Sequence, residues 1–134
     1  MQFQIDPRAP EPPSEQLADQ VRFAVAAGRL VVGERLPSVR ELAAQVRVNP
    51  NTVSRAWREL EREGTLFMRR GEGVFVAETG PMACRAARAR IVSERIGRAV
   101  GEALTAGLNE AEVMDLVRGI CRERGSAQPE EDVA

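Results

Sequence analysis

At 134 residues, the chain has room for one small domain and an appendage but not for two full domains. Its formal net charge is −1, from 19 basic residues, all of them arginine, and 20 acidic residues. There is no histidine and no tyrosine. Ser–His and Cys–His catalytic pairs are therefore excluded, and we expect neither an enzyme nor a cofactor.

Neither a membrane segment nor an export signal stands out in the sequence. No run approaches the roughly 18 consecutive apolar residues of a membrane-spanning helix, and the N-terminus lacks a basic and apolar signal pattern. We therefore expect a cytoplasmic protein with no membrane partner. Cys84 and Cys121 lack metal-ligand spacing, so no metal is expected. Both are predicted to be free packing residues, with a redox switch as the alternative.

The elements, taken in chain order, begin with an extended lead. Four prolines keep residues 1–13 from forming a helix. Phe3 and Ile5 are expected to form a short strand or to pack on a later hairpin. Ser14 can cap the first long helix, and the apolar residues 30–32 predict a short strand.

Two short amphipathic helices follow, joined by a linker of about three residues. The first is expected after Ser38, whose side chain can form a capping box with Glu41. The second has Asn49 as its N-cap, Pro50 in its first position and Gly64 as its C-terminal stop. So short a linker between two helices predicts a helix-turn-helix.

The second of these helices has two chemically different faces. The face predicted to be buried consists of Val53, Ala56, Trp57 and Leu60. The opposite face carries Asn51, Thr52, Arg55, Arg58 and Arg62. Short polar groups at the N-terminal end and cations further along are what a helix needs to contact base edges and phosphates in a major groove.

A hairpin is predicted next, from strands at residues 65–68 and 74–76 around residues 69–73. Its exposed tip carries Arg69 and Arg70, as does the wing of a winged helix-turn-helix that reaches an adjacent minor groove or the backbone. From residue 35 to residue 70, eight arginines against four glutamates give a net charge of +4. A nearly neutral chain can therefore present a basic face to DNA.

Three motifs in this order carry a resemblance to a known family. Residues 36–43 (LPSVRELA), 48–53 (VNPNTV) and 69–76 (RRGEGVFV) resemble the DNA-binding domain of GntR-family bacterial transcription regulators, over roughly residues 12–78. The Asn-Pro-Asn-Thr-Val form is similar to the YtrA subfamily and to the DNA-binding head of the MocR subfamily. MocR members carry a large pyridoxal-phosphate aminotransferase-like domain, for which this chain has no room, so the short tail favours YtrA.

Helix faces and resemblance together give a set of candidate DNA-binding residues. These are Arg35, Ser38, Arg40, Asn51, Thr52, Ser54, Arg55, Arg58, Arg69, Arg70 and Gly71. The resemblance implies that Arg40 contacts DNA, the alternative being a solvated surface cation. Asn51 and Thr52 are suited to base edges, the alternative being local capping of their helix. Glu72 departs from the family, which often has a basic residue there, and weakens the positive field of the wing.

A helical tail is predicted after Gly80 and Pro81. One helix is expected from about residue 82 to residue 106 and another from a capping box of Asn109 and Glu112 to about residue 124, with residues 125–134 disordered. The apolar stripes of the two helices comprise Ile91, Val92, Ile96, Val100, Leu104, Val113, Leu116, Val117 and Ile120.

Two helices alone cannot bury both stripes within one protomer. The simplest solution is an isologous homodimer in which four helices form a small bundle. The alternative is a tail that folds back onto its own wing domain. The YtrA resemblance implies the same dimerisation role, with half-sites about one helical turn apart.

The predicted architecture is mainly α with a small β-hairpin: a winged helix-turn-helix domain over residues 1–78 and a helical dimerisation tail over residues 81–124. The predicted function is a homodimeric, sequence-specific transcription regulator that binds double-stranded DNA and represses a pseudo-palindromic operator. The resemblance adds a transporter operon as the target, and an unidentified small-molecule effector is possible. The alternative is a winged-helix module that contacts proteins instead of specific DNA.

Overall fold

The computed structural model describes residues 1–126. Those residues form five helices, α1 (Pro13–Ala26), α2 (Val39–Val46), α3 (Pro50–Arg62), α4 (Gly80–Thr105) and α5 (Glu110–Ser126). They also form three strands, β1 (Arg35–Leu36), β2 (Leu66–Arg69) and β3 (Gly73–Val76), in an antiparallel sheet ordered β1-β3-β2. The predicted fold class is confirmed, with one strand beyond the hairpin. None of the described helices is long and apolar enough to cross a membrane.

The N-terminal lead forms no strand, because glutamine side chains of α1 take the place of a partner strand. Gln20 accepts a hydrogen bond from the backbone nitrogen of Gln4 (3.0 Å) and donates one to its carbonyl oxygen (2.6 Å). Phe3 is buried, with its ring edge-to-face against Trp57 at 6.0 Å between centroids. The lead therefore packs against α1 and against Trp57 of α3.

Two local predictions around α1 are wrong. Ser14 is not the cap, because the extended N-cap position belongs to Pro12 and the helix begins at Pro13, whose fixed φ suits a first turn. Residues 30–32 form no strand, and Val31 and Val32 are exposed. The strand lies at Arg35–Leu36 instead, because its pairing partner is β3, some forty residues away.

The helix-turn-helix forms as predicted. The Ser38 hydroxyl accepts from the Glu41 backbone nitrogen (3.1 Å), and the Glu41 carboxylate accepts from the Ser38 nitrogen (3.1 Å). These hydrogen bonds, led by that from the Ser38 backbone, lower the pKa of Glu41. Asn49 caps α3 through the backbone nitrogen of Asn51 (2.8 Å). Between the helices, Arg47 adopts a left-handed conformation at φ 58° and closes α2.

The core of the first compact unit, Met1–Ala89, surrounds one face of α3. The four predicted residues of that face, Val53, Ala56, Trp57 and Leu60, are all buried. The indole nitrogen of Trp57 donates a hydrogen bond to the carbonyl oxygen of Pro37 at 3.1 Å. Trp57 is thus a core residue, as predicted, and its one polar atom is satisfied.

A charge cluster in which Asp19 and Arg22 are buried joins α1 to the C-terminal end of α3. Arg22 donates to both carboxylate oxygens of Glu63 (2.6 and 3.1 Å) and to Asp19 (2.7 Å). Burial by itself lowers the pKa of the guanidinium, but the hydrogen bonds and charges of Glu63 and Asp19 outweigh it and raise the pKa. Because a buried cation is stable only when paired, these contacts fix how α3 sits on α1.

The boundary between the units lies inside α4. Cys84 and Ala87 are buried, Cys84 belongs to the core of the first unit, and that unit extends to Ala89. The second unit begins at Arg90. Its predicted Asn109–Glu112 capping box is present, and α5 continues to Ser126, two residues past the predicted end. The rest of the stretch predicted to be disordered, residues 127–134, lies outside the described residues.

The two cysteines differ in their surroundings. Cys84 packs in the core 3.5 Å from the Thr65 hydroxyl, and burial raises the pKa of its thiol despite that contact. This is the environment of a packing residue. Cys121 is free and exposed in the single chain.

Replacing Arg22 with alanine should lower the free energy of unfolding by roughly 3 kcal/mol, since the buried Asp19 carboxylate loses its guanidinium partner. Urea denaturation followed by circular dichroism measures the loss. The control, Arg85→Ala, removes an exposed arginine and should change the free energy by less than about 0.5 kcal/mol. Equal losses in the two variants would contradict a structural role for the cluster.

Candidate nucleic-acid interface

The face of α3 opposite the core is polar and accessible along its length. Asn51, Arg55 and Arg58 are exposed, and Thr52 and Ser54 are half-buried. The Arg58 guanidinium donates to the Ser54 carbonyl oxygen at 3.3 Å, so that this cation lies back along its helix. The face therefore has short hydrogen-bonding groups at its N-terminal end and cations in the following turns.

The start of α3 separates the roles of two asparagines. Asn49 fills the capping position, with its side-chain oxygen bound to the backbone nitrogen of Asn51. The exposed Asn51 amide is not needed as a cap and can offer both a donor and an acceptor, the pair that adenine requires. The capping alternative for Asn51 therefore has no geometric support.

Ser38 and Arg40 occupy the start of α2. The Ser38 hydroxyl accepts a hydrogen bond within the capping box, but its own proton stays available for an outside acceptor such as a phosphate oxygen. Arg40 is exposed two residues further on. Both predicted residues are thus placed where a ligand can reach them, and Ser38 is rigidly held.

The hairpin forms the predicted wing, with an exposed tip. The register pairs Arg69 with Gly73 and Phe67 with Phe75, and the backbone nitrogen of Glu72 donates to the Arg69 carbonyl oxygen at 2.9 Å to close the turn. Gly71 has φ +78°, a conformation that residues with a Cβ rarely adopt. Arg70 and Gly71 are exposed at the tip.

Arg35 lies across the wing, through a contact that the sequence analysis missed. It is in register with Phe75 on β3, and a Cβ added to Gly73 would lie 2.8 Å from the Arg35 Nε. Gly73 also has φ +127°, so a side chain at this position would be strained and would displace the guanidinium. Gly71 and Gly73 at the tip indicate a turn from the sequence alone. That Gly73 also makes room for Arg35 follows only from the pairing of β1 with β3.

The wing and α3 adjoin each other. Polar residues of the exposed face of α3, Ser54 and Arg58, line a shallow cleft with Phe67, Met68 and Val74 of the hairpin. The recognition face and the wing are therefore parts of one surface, as a protein that contacts a groove and its neighbouring backbone requires. Within residues 1–126, no group of three or more His, Cys, Asp or Glu residues could hold a metal ion.

The amino-acid sequence is similar to those of known bacterial regulatory proteins. Residues 13–76 match the family model described as bacterial regulatory proteins, gntR family. The chain is 35% identical over 118 residues to the HTH-type transcriptional repressor YtrA of Bacillus subtilis, which covers 88% of this chain and 91% of that protein. It is 40% identical over 112 residues to the HTH-type transcriptional regulator Rv1152 of Mycobacterium tuberculosis, covering 84% of this chain and 88% of that protein.

Among solved structures, the fold is similar to that of a GntR family transcriptional regulator from Listeria monocytogenes. The TM-score is 0.71 at 26% sequence identity, and the match covers 86% of this chain and 98% of that chain. The similarity in both sequence and structure thus extends beyond the winged helix-turn-helix into the tail.

The two asparagines provide a matched test. Asn49→Ala should cost about 1 kcal/mol of unfolding free energy, because it removes the cap of α3. Asn51→Ala should change the free energy of unfolding by less than about 0.5 kcal/mol. It should weaken DNA binding by about 1–3 kcal/mol if the amide contacts a base. Thermal denaturation and fluorescence anisotropy on duplex DNA measure the two effects. A destabilised Asn51→Ala variant with unchanged DNA affinity would overturn this division of roles.

Proposed function

The chain belongs to the GntR family of bacterial regulatory proteins and is a DNA-binding transcriptional regulator, not an enzyme, and we propose that it works as a homodimeric repressor on a pseudo-palindromic operator. The observation that carries the DNA-binding part is the two-sided α3. Its apolar face is buried while Asn51, Arg55 and Arg58 remain exposed beside the wing. We propose that the DNA-contacting residues are drawn from the eleven predicted from the sequence.

The dimer is proposed from the apolar surface of the second unit. Ile96, Leu104, Leu116 and Ile120 are each 50–57% exposed in the single chain. Val92 and Val117 are also exposed, Ile91 and Val100 are half-buried, and Val113 alone of the nine predicted residues is buried. So many exposed aliphatic side chains in one short tail favour burial against another surface, and a second copy offers an identical stripe.

Two-fold symmetry leads from the dimer to the operator. An isologous pair presents two copies of α3 related by a dyad, so each copy meets one half of a pseudo-palindrome, with half-sites about one helical turn apart. The role as a repressor is supported by the name of the B. subtilis relative. The target that we propose, a transporter operon, rests on the subfamily resemblance alone. A small-molecule effector, unidentified, is a separate candidate partner.

The alternative function, a winged-helix module that contacts proteins, would need an apolar recognition face. The exposed part of α3 instead carries amide, hydroxyl and guanidinium groups. Binding through several arginines should weaken steeply with salt, whereas an apolar protein contact should not.

Arg40→Ala tests the proposed contact from α2. Specific binding should weaken by about 1–3 kcal/mol if the guanidinium contacts a base. Fluorescence anisotropy on the duplex upstream of the protein's own gene, with a scrambled duplex beside it, measures this. Arg8→Ala removes the same charge from the exposed lead and should bind as the parent does. Unchanged affinity in Arg40→Ala would remove that residue from the interface.

Ile96→Glu tests the dimer. A charge on this exposed side chain should leave the helices folded but convert dimers to monomers, because it would be buried unpaired in the interface. Sedimentation velocity measures the oligomeric state. Thr105→Glu is the matched control, since nine residues place it on the opposite face of α4. Persistence of the dimer in Ile96→Glu would exclude this stripe as the interface.

A further inference from the structure

The outer face of the wing contains a cluster that the DNA-binding role does not explain. Phe67 and Phe75 face each other across β2 and β3, with ring centroids 5.6 Å apart and planes inclined by 27°. The guanidinium carbon of Arg69 lies 5.6 Å from the centroid of Phe67 and 5.9 Å from that of Phe75. Both distances are within the range of a cation–π contact.

Glu72 closes this cluster on the side of the turn. Its carboxylate lies 3.8 Å from the Arg69 Nε, and both side chains are about 60% exposed. An exposed pair of this kind is weak by itself. Here it acts on a guanidinium that two aromatic rings already engage, so three groups hold one cation.

The neighbouring arginine is in a different situation. Arg70 is exposed at the tip, and within residues 1–126 its side chain has neither an ion pair nor a ring contact. It can turn toward a phosphate without giving up any interaction. Arg69 would have to leave both rings and Glu72 to do the same, although the sequence presents the two arginines as equivalent.

We propose that Glu72 and the stacked rings of Phe67 and Phe75 hold the Arg69 guanidinium within the wing, so that Arg70 is the wing's only DNA-contacting cation. Glu72 then limits DNA affinity by withholding Arg69. Arg69 becomes a positioning residue that orders the hairpin, which corrects its place among the predicted DNA contacts. This inference rests on the proposed DNA-binding function.

The salt dependence of DNA binding separates the two arginines. A plot of log affinity against log salt concentration loses about one unit of slope for each phosphate contact removed. With the full-length protein and the duplex upstream of its own gene, Arg70→Ala should reduce the slope by about one. Arg69→Ala should leave the slope unchanged. Equal reductions in both variants would overturn the assignment.

The role of Glu72 is tested by a double-mutant cycle. Glu72→Gln should raise the affinity and steepen the salt slope, because it removes one of the three groups that hold Arg69. In an Arg69→Ala background, the same substitution should have no effect on the slope. A gain that persists without Arg69 would show that Glu72 acts by direct repulsion of DNA and would overturn the proposal. Glu78→Gln, the loss of one exposed carboxylate outside the wing, is the charge-matched control.

A measurement without DNA keeps this inference separate from the proposed function. In the free protein, the Arg69 side-chain NMR resonances should be shifted by the ring currents of the two phenyl groups, and Phe75→Leu should reverse part of the shift. If the parent protein binds neither its own upstream duplex nor a scrambled one, the proposed function fails. The ring-current shift of the Arg69 side chain can still be measured in the free protein. An unshifted Arg69 resonance would overturn the inference whether or not DNA binds.

Discussion

The burial of one face of α3 is the constraint on which the rest of the first unit depends. Its centre is Trp57, a large apolar side chain with one donor that must be paired when buried. The indole donates to the Pro37 carbonyl just before α2, and its ring meets Phe3 of the N-terminal lead. Burying such side chains stabilises the fold by about 2 kcal/mol each. The same burial decides that Asn51, Arg55 and Arg58 face outward.

Apolar packing alone leaves a helix some freedom to slide or rotate, and the polar contacts at its two ends remove much of it. At the N-terminal end, Asn49 fixes where α3 begins. At the C-terminal end, the bidentate contact between Arg22 and Glu63 joins it to α1. Such ion pairs add little net stability but penalise any packing that would separate them. The recognition face is thus held in one orientation before DNA arrives, which reduces the ordering cost of binding.

The wing depends on strand register in the same way as the recognition helix depends on its buried face. Pairing of Leu36 with Val74 and of Leu66 with Val76 turns apolar residues toward the core. Alternation then brings Arg35, Phe67 and Phe75 to the outer side. A register shifted by one residue would bury the cations and expose the core residues. The chemistry of the wing is therefore a consequence of how its strands pair.

The sequence by itself determined the local features of this protein. Both capping boxes, the ends of α3, its buried face and the hairpin were predicted and are present, because caps, turns and helical periods depend on residues within about four positions of one another. The motifs also identified the family correctly. The prediction that Ser14 caps α1 also used only local information, and it was wrong. Pro13, the residue before it, suits the start of a helix equally well, and α1 begins there.

Only the tertiary structure decided what depends on distant residues. The Arg22–Glu63 pair spans 41 positions, and β1 exists only because β3 returns beside it. Likewise, Gly73 has a second role only because Arg35 crosses it, and Arg69 differs from Arg70 only because two phenyl rings meet across the hairpin. No local pattern encodes these contacts, because each requires two segments that the chain must first fold to bring together.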